Sequence, residues 1–305
     1  MAELPVIMAG LRPHVHAKIN GADVQFLADS GAFYSVISPG SAATLGLSPK
    51  AQNDGIVMRG VNGEAEFGVA MVKTFTLVGL DIPNVEFIVG GSRVGEGAVG
   101  VLGQNIWSLA DVEYDLAHGV IRLMAPHDCK GRALAYWAGD KPFSAMDISI
   151  ADEQGQHTSG AAFINGHRVK VAFDTGAATS VVHLRAASRT GIDVRGPNVV
   201  DAGYSGGFGS RRVHDWIAPV ADFKVGDEQI SHTRLRLGDF QTLDADMLLG
   251  ADFFLSHRVY VSNSQHRMYF TYNGGPVFNL DVDKIGDAKP QVAAAPPQPV
   301  EKHER

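Results

Sequence analysis

The chain contains two copies of one pattern, and this internal repeat limits the possible folds more than any other sequence feature. Ile19-Asn20-Gly21 recurs as Ile164-Asn165-Gly166, a displacement of 145 residues. After a two-residue insertion the displacement becomes 147, and Val101-Leu102-Gly103 falls on Leu248-Leu249-Gly250. Matches that keep one order across most of both halves indicate two copies of a single lobe. Two copies of so long a period do not make a solenoid.

Both copies have the pattern of short strands joined by tight turns. In each copy an alternating segment ends at Asn-Gly, a strong hairpin signal, and an apolar segment follows. Glycine is abundant at 35 residues and charged residues make up only 19%, which suits strands and turns better than long surface helices. Short helices are predicted at Pro39–Leu45 and Leu184–Thr190. The sequence therefore predicts an all-β fold, mostly antiparallel.

The repeat also suggests where the lobes begin and end. We predict an N-terminal lobe over residues 1–127, a connector over 128–140 and a C-terminal lobe over 141–282. The remainder, 283–305, is rich in proline and alanine and has few large apolar side chains, so it is predicted to be disordered.

Composition excludes several classes of function. The net charge of −7 offers no basic stripe for nucleic acid, and the single cysteine, Cys129, excludes internal disulfides and cysteine-based zinc sites. No segment reaches the roughly 18 apolar residues of a membrane span. His14 and His16 are interpreted as a packed or solvated strand face rather than a metal site. Gly95–Gly100 has the letters of a dinucleotide motif but lacks the surrounding βαβ unit. No cofactor or metal is expected.

Each copy places Asp, a hydroxyl residue, Gly and Ala directly after an apolar strand: Asp29-Ser30-Gly31-Ala32 and Asp174-Thr175-Gly176-Ala177. These motifs resemble those of the aspartic peptidases, both retroviral-type and pepsin-type. Val101-Leu102-Gly103 and Leu248-Leu249-Gly250 resemble the segment that packs behind each catalytic loop in those families. Retroviral enzymes pair two identical chains, whereas two motifs in one chain resemble the bilobal arrangement. The resemblance covers roughly Val6 to Leu280.

The resemblance implies a bilobal acid-protease fold, with two retropepsin-like β-barrel lobes and the active site between them. Asp29 and Asp174 would be the catalytic pair, and paired carboxylates in aspartic proteases are the standard example of two acids sharing one proton. A water between them would attack the peptide bond. The implied partner is a peptide or protein substrate, and the implied state is a monomer whose own lobes pair. Export is favoured over the cytoplasm on resemblance, although Met1–Gly10 lacks the pattern of a signal peptide.

The residues after each aspartate have implied supporting roles. The hydroxyls of Ser30 and Thr175 would bond across to the opposite loop, and Gly31 and Gly176 would permit a sharp turn. At Ala32 and Ala177, pepsin-type enzymes often carry a further hydroxyl donor to the carboxylate. Losing a donor to the charged form raises a carboxyl pKa, so we predict a weakly acidic optimum.

Two glycine-containing segments in matching places are candidates for the β-hairpins, or flaps, that close over substrate in this family. They hold Gly60 and Val61 in the first copy, and Tyr204, Ser205 and Gly206 in the second.

Three alternatives remain open from the sequence. The fold could serve as a non-catalytic peptide-binding module, although a pure binder has no need of two buried, repelling acids. It could be a zymogen whose propeptide has been removed. It could also be a dimer acting through the first lobe alone, with a decayed second copy, although the well-preserved motif at Asp174 argues against decay.

Overall fold

A computed structural model describes residues 1–51, 58–60, 63–65, 67–91, 97–150, 157–206, 212–241, 244–278, 280 and 291–293. In the first half the strands are β1 (Ala2–Ala9), β2 (Arg12–Ile19), β3 (Ala22–Ala28), β4 (Val36–Ile37), β5 (Lys50–Ala51), β6 (Met58–Gly60), β7 (Gly63–Ala65), β8 (Phe67–Leu77), β9 (Leu80–Gly90), β10 (Gly100–Leu102), β11 (Asp111–Asp115) and β12 (Val120–Met124). In the second half they are β13 (Ser144–Asp147), β14 (Ser159–Ile164), β15 (His167–Phe173), β16 (Val181–His183), β17 (Val200–Ser205), β18 (Val213–Val225), β19 (Glu228–Gly238), β20 (Met247–Leu249), β21 (His257–Ser262), β22 (Arg267–Tyr272) and β23 (Gln291–Ala293). The helices are α1 (Pro39–Thr44), α2 (Gln104–Trp107), α3 (Leu184–Arg189) and α4 (Ala251–Ser256), with 3₁₀ turns at Leu116–His118 and Tyr136–Ala138.

The predicted all-β, bilobal fold is confirmed, and so are the two Asn-Gly hairpins. Asn20 and Gly21 join β2 to β3 with φ values of 49° and 86°, and Asn165 and Gly166 join β14 to β15 with 50° and 78°. Positive φ at both central residues is the requirement of the tight turn that suits twisted antiparallel strands.

The two predicted helices are present, and two further helices follow strands β10 and β20. Ser38 caps α1 by accepting the N–H of Ser41, and His183 caps α3 by accepting the N–H of Arg185. Helices α2 and α4 start after Gly103 and Gly250, which have no side chain to cap them. The sequence therefore carried no N-cap signal for these two helices.

In each lobe a short strand lies between the two strands that flank the Asp-Ser/Thr-Gly-Ala loop. Strand β10 pairs parallel with β3 and antiparallel with β4, and β20 lies in the same way between β15 and β16. The backbone N–H groups of Asp29 and Asp174 continue these ladders by donating to Leu102 O at 3.0 Å and Leu249 O at 2.9 Å. Both aspartates are thus anchored where a buried strand ends.

Strands from both lobes lie next to one another in one continuous sheet. They come from the beginning and the end of each copy. The strand order of this sheet is β13-β22-β21-β11-β12-β1, with β11 and β21 antiparallel at the centre and Glu113 opposite Tyr260. Each lobe contributes three strands, so the repeat is visible as an approximate two-fold arrangement. The predicted lobe boundaries stay a prediction.

Buried phenylalanines fill the lobe interiors. In the first lobe Phe26 packs against Phe75 and Phe87 at ring-centroid distances of 6.0 and 5.8 Å. In the second, Phe223 packs against Phe278 at 5.2 Å. Aromatic pairs in such geometry add about 0.5–1.5 kcal/mol to the burial of their surface.

Within the described part of the chain, no helix is long and apolar enough to cross a membrane. Of the segment predicted to be disordered, 283–305, the structure describes Gln291–Ala293 alone, which pairs as β23 with residues 229–231 of β19.

Candidate active site

Each Asp-Ser/Thr-Gly-Ala loop donates hydrogen bonds to its own aspartate from the backbone N–H groups of its glycine and alanine. The donors to each Oδ1 are Gly31 and Ala32 for Asp29, at 2.9 Å each, and Gly176 and Ala177 for Asp174, at 2.9 and 3.0 Å. Hydrogen bonds from N–H groups to a carboxylate favour its charged form. The two aspartates therefore have matching local environments, as the repeat predicts.

The two carboxyl groups face each other across the lobes. A Cβ atom on Gly31 would lie 2.4 Å from Asp174 Cγ, and one on Gly176 would lie 2.3 Å from Asp29 Cγ. Each carboxyl thus rests on the glycine of the opposite loop. Both aspartates are only partly buried, so the pair opens to solvent.

Crossed hydrogen bonds between Ser30 and Thr175 hold the loops together. Each backbone N–H donates to the other hydroxyl, from Ser30 at 2.9 Å and from Thr175 at 3.0 Å. Each hydroxyl then donates to a carbonyl of the opposite lobe, Ser30 to Phe173 O at 2.9 Å and Thr175 to Ala28 O at 2.6 Å. Both residues are buried, with exposures of 4% and 0%. The serine therefore supplies the same bonds as a threonine would.

Proximity changes the electrostatics of the pair. Burial raises the pKa of Asp29 well above its usual range, the negative charge of Asp174 raises it further, and the N–H donors of Ala32 and Gly31 act in the opposite direction. Burial, followed by the charge of Asp29, also raises the pKa of the nearby Tyr114. One member of the coupled pair thus keeps its proton at a pH where an isolated aspartate would be ionised.

A second layer of polar residues behind the loops was missed by sequence reasoning. Ser35 donates to Asn105 Oδ1 from its N–H and its hydroxyl, both at 2.8 Å. Ser180 donates to Asp252 Oδ1 at 2.9 and 2.7 Å in the same two ways. The signal was available, because displacements of 145 and 147 place Ser35 on Ser180 and Asn105 on Asp252.

Of the five predicted flap residues, Gly60 lies on the β6–β7 hairpin, Tyr204 and Ser205 lie on β17, and Gly206 directly follows it. Gly60 ends β6 and pairs with Gly63 of β7, and Val61 lies outside the described residues. Tyr204 is 61% exposed and stacks on the His214 ring at 4.7 Å. The Ser205 hydroxyl donates to Asp215 Oδ1 at 3.2 Å.

Gly206 is exposed and directly follows β17, and residues 207–211 lie outside the described residues. The closing of either hairpin over substrate stays a prediction.

No group of metal-ligating side chains is found among the described residues. His14 and His16 have different surroundings, since His14 is buried and His16 is exposed. Burial lowers the pKa of His14.

Comparison with known proteins agrees with the duplicated site. A family model described as aspartyl protease matches residues 15–106, and one described as gag-polyprotein aspartyl protease matches residues 161–256. Each matched stretch contains one Asp-Ser/Thr-Gly-Ala loop. A search of curated protein sequences finds no match.

Among solved structures, the crystal structure of basic 7S globulin from soybean is similar, with 13% identity over 88% of this chain and 94% of that one and a TM-score of 0.47. The two family matches, one in each half, identify the chain as a member of the aspartic peptidases, of the retropepsin-like type with two lobes.

Proposed function

We propose that the protein is an endopeptidase that hydrolyses peptide bonds with a water held between Asp29 and Asp174. The observation that carries this proposal is the apposition of the two carboxyls, each lodged on the glycine of the opposite loop. Two acids in such contact share one proton, and the resulting acid–base pair is what amide hydrolysis by water requires.

The proposed reaction uses both members of the pair in each step. The ionised carboxylate removes a proton from the water, whose oxygen bonds to the peptide carbonyl carbon. The protonated carboxyl gives its proton to the carbonyl oxygen, so that a neutral gem-diol forms. The carboxyl that took the proton from water then gives it to the nitrogen, one hydroxyl of the gem-diol returns a proton to the other carboxylate, and the C–N bond breaks to release an amine and a carboxylic acid. Because the pair is coupled, neither aspartate has a fixed role before substrate binds.

Apolar side chains beside both loops support a preference for apolar residues around the cleaved bond. Two small clusters of buried apolar residues flank the loops, Leu27, Val36 and Val101 beside Ala32, and Ala172, Val213, Phe240 and Leu248 beside Ala177. The partly exposed members of these clusters include Ala32, Ile88, Ala177 and Val181, and a substrate side chain that packs on them would gain about 0.8 kcal/mol for each buried CH₂.

We also propose that the active unit is the monomer. The crossed bonds of Ser30 and Thr175 and the pairing of β11 with β21 already join one catalytic loop to the other within a single chain. Specific activity should therefore stay constant on dilution, whereas a dimeric enzyme would lose activity below its dissociation constant.

The function is tested by incubating the protein with a mixed peptide library between about pH 3 and pH 7 and identifying products by mass spectrometry. We expect cleavage of internal bonds with apolar neighbours, blocked by a statine-type inhibitor. Release of single terminal residues would contradict an endopeptidase. Tight inhibitor binding without any cleavage would instead favour the peptide-binding module.

A further inference from the structure

One contact breaks the symmetry of the duplicated site. His157 of the second lobe reaches the catalytic loop of the first lobe, with its Nδ1 2.8 Å from Gly31 O. A carbonyl oxygen only accepts, so Nδ1 carries the proton in this bond. The displacement of 145 places Arg12 on His157, and in the described residues no hydrogen bond joins Arg12 to Gly176.

The carbonyl bonded to His157 belongs to a peptide group that also donates to Asp29, one of the two aspartates of the dyad. Gly31 C=O and Ala32 N–H are two ends of one peptide unit, and that N–H donates to Asp29 Oδ1 at 2.9 Å. The three groups form a chain: imidazole N–H, peptide, carboxylate. A donor on the carbonyl polarises the peptide and strengthens its N–H as a donor, by about 10–30% in each bond.

The same contact limits the position of the loop. Rotation of the Gly31–Ala32 peptide would break the bonds at both of its ends, to His157 and to Asp29. Since Gly31 also lies against Asp174, the orientation of this peptide affects both carboxyls.

We propose that His157 is a positioning residue for the dyad, which fixes the Gly31–Ala32 peptide and thereby the N–H that donates to Asp29. This inference builds on the peptidase proposed above. His157 gives the Asp29 loop a side-chain bond that Arg12, at the matching position, does not supply to the Asp174 loop in the described residues.

The test compares two substitutions of nearly equal shape. His157→Asn places an amide N–H where Nδ1 stands, and His157→Leu removes the donor. His16→Leu, at an exposed position on β2, serves as the control for loss of a histidine. The carboxyl ¹³C signals of the dyad are titrated by NMR and assigned with Asp29→Asn and Asp174→Asn.

We expect His157→Leu to raise the titration midpoint of the Asp29 carboxyl signal by about half a pH unit, since weaker donation disfavours the charged form of that group. His157→Asn and His16→Leu should stay close to the wild type. The acid limb of kcat/KM should move by the same amount, with kcat reduced about 3- to 10-fold in the leucine variant and KM little changed. Tyr114 and Asp174, the other titratable groups that interact with Asp29, are the same in all these proteins.

A leucine variant with wild-type midpoints would overturn the inference, even if the enzyme is active. A shifted midpoint in a protein that cleaves no peptide would support the role of His157 and refute the proposed function.

Discussion

Gly31 lies directly against the carboxyl group of Asp174, so closely that a Cβ atom on the glycine would be 2.4 Å from Asp174 Cγ. The matching contact of Gly176 with Asp29 measures 2.3 Å. Non-bonded carbon atoms normally stay about 3.5–4.0 Å apart. The meeting of the two aspartates therefore depends on the absence of a side chain at both glycines.

Alanine at either glycine should separate the dyad. We expect Gly31→Ala and Gly176→Ala to lower kcat/KM by about 100-fold or more and stability by about 1–3 kcal/mol, because the added methyl overlaps the opposite carboxyl. Gly40→Ala is a matched control, since Gly40 lies in α1 with nothing within 4 Å of its missing Cβ. That control should keep full activity. Full activity in Gly31→Ala would show that the carboxyls are not in contact.

The crossed hydrogen bonds should account for much of the coupling between the loops. Thr175→Val keeps the shape of the side chain but leaves Ser30 N–H and Ala28 O without their partner, at an expected cost of about 2–4 kcal/mol. Thr175→Ser keeps the hydroxyl and loses one methyl, so it should cost about 1 kcal/mol. Urea unfolding measures both. Equal losses in the two variants would mean that the hydroxyl does not stabilise the pairing.

The dyad should destabilise the folded protein as pH rises. A carboxyl whose pKa is raised on folding holds more protons in the folded state than in the unfolded one, so the free energy of unfolding falls through that window. For Asp29 the window runs from the ordinary value of 3.8 up to its raised pKa. Asp29→Asn removes the titrating carboxyl and with it this fall in the free energy of unfolding. We expect the variant to melt at a higher temperature than the wild type at pH 7 and at a similar temperature near pH 3.

Asp23→Asn is the control, because Asp23 is exposed and pairs with Lys18 on the surface. Its effect should be small at both pH values. A melting temperature of Asp29→Asn below that of the wild type at pH 7 would contradict the repulsion inferred for the pair.

A buried glutamate should contribute to the shared sheet. Glu113 is fully buried and accepts from Arg122 of its own lobe and from Arg258 of the other, whose Nη2 lies 2.8 Å away. Glu113→Gln replaces the buried carboxylate shared by the two arginines with a neutral amide, while Asp115 remains near both guanidinium groups, so we expect a cost of about 1.5–3 kcal/mol. Glu3→Gln removes the half-exposed partner of the same arginine and should cost at most about 1 kcal/mol. Similar losses in the two variants, measured by denaturant unfolding, would contradict the interlobe role of Glu113.

Local signals in the sequence were sufficient for the hairpins and for the two loops. Asn20-Gly21 and Asn165-Gly166 determine their turns through backbone conformation. The two Asp-Ser/Thr-Gly-Ala motifs directly follow short apolar strands, which are recognisable from a few neighbouring residues. Helix α2 carries no such signal, and α4 has only Asp252 in its first turn. Their starts are held by bonds from Gln104 N–H to Ala32 O and from Ala251 N–H to Ala177 O, contacts between residues distant in sequence.

The contact of His157 with Gly31 could not be read from the chain for the same reason. It joins residues 126 positions apart and has no counterpart at the matching position, Arg12, so the repeat gave no indication of it. The repeat did align the buried pair of Ser35 with Asn105 on that of Ser180 with Asp252, but only the folded lobes show that these residues meet.

The central claim is that one shared carboxylate pair performs the chemistry. Its most direct test is the cleavage rate of one optimised peptide by the wild type, Asp29→Asn, Asp174→Asn and the double variant, with folding of each checked by circular dichroism. We predict that each single substitution lowers kcat by about 10³-fold or more and that the double substitution adds little, because residues acting as a unit are not additive. Substantial activity remaining in either single variant would show that the lobes do not share a site.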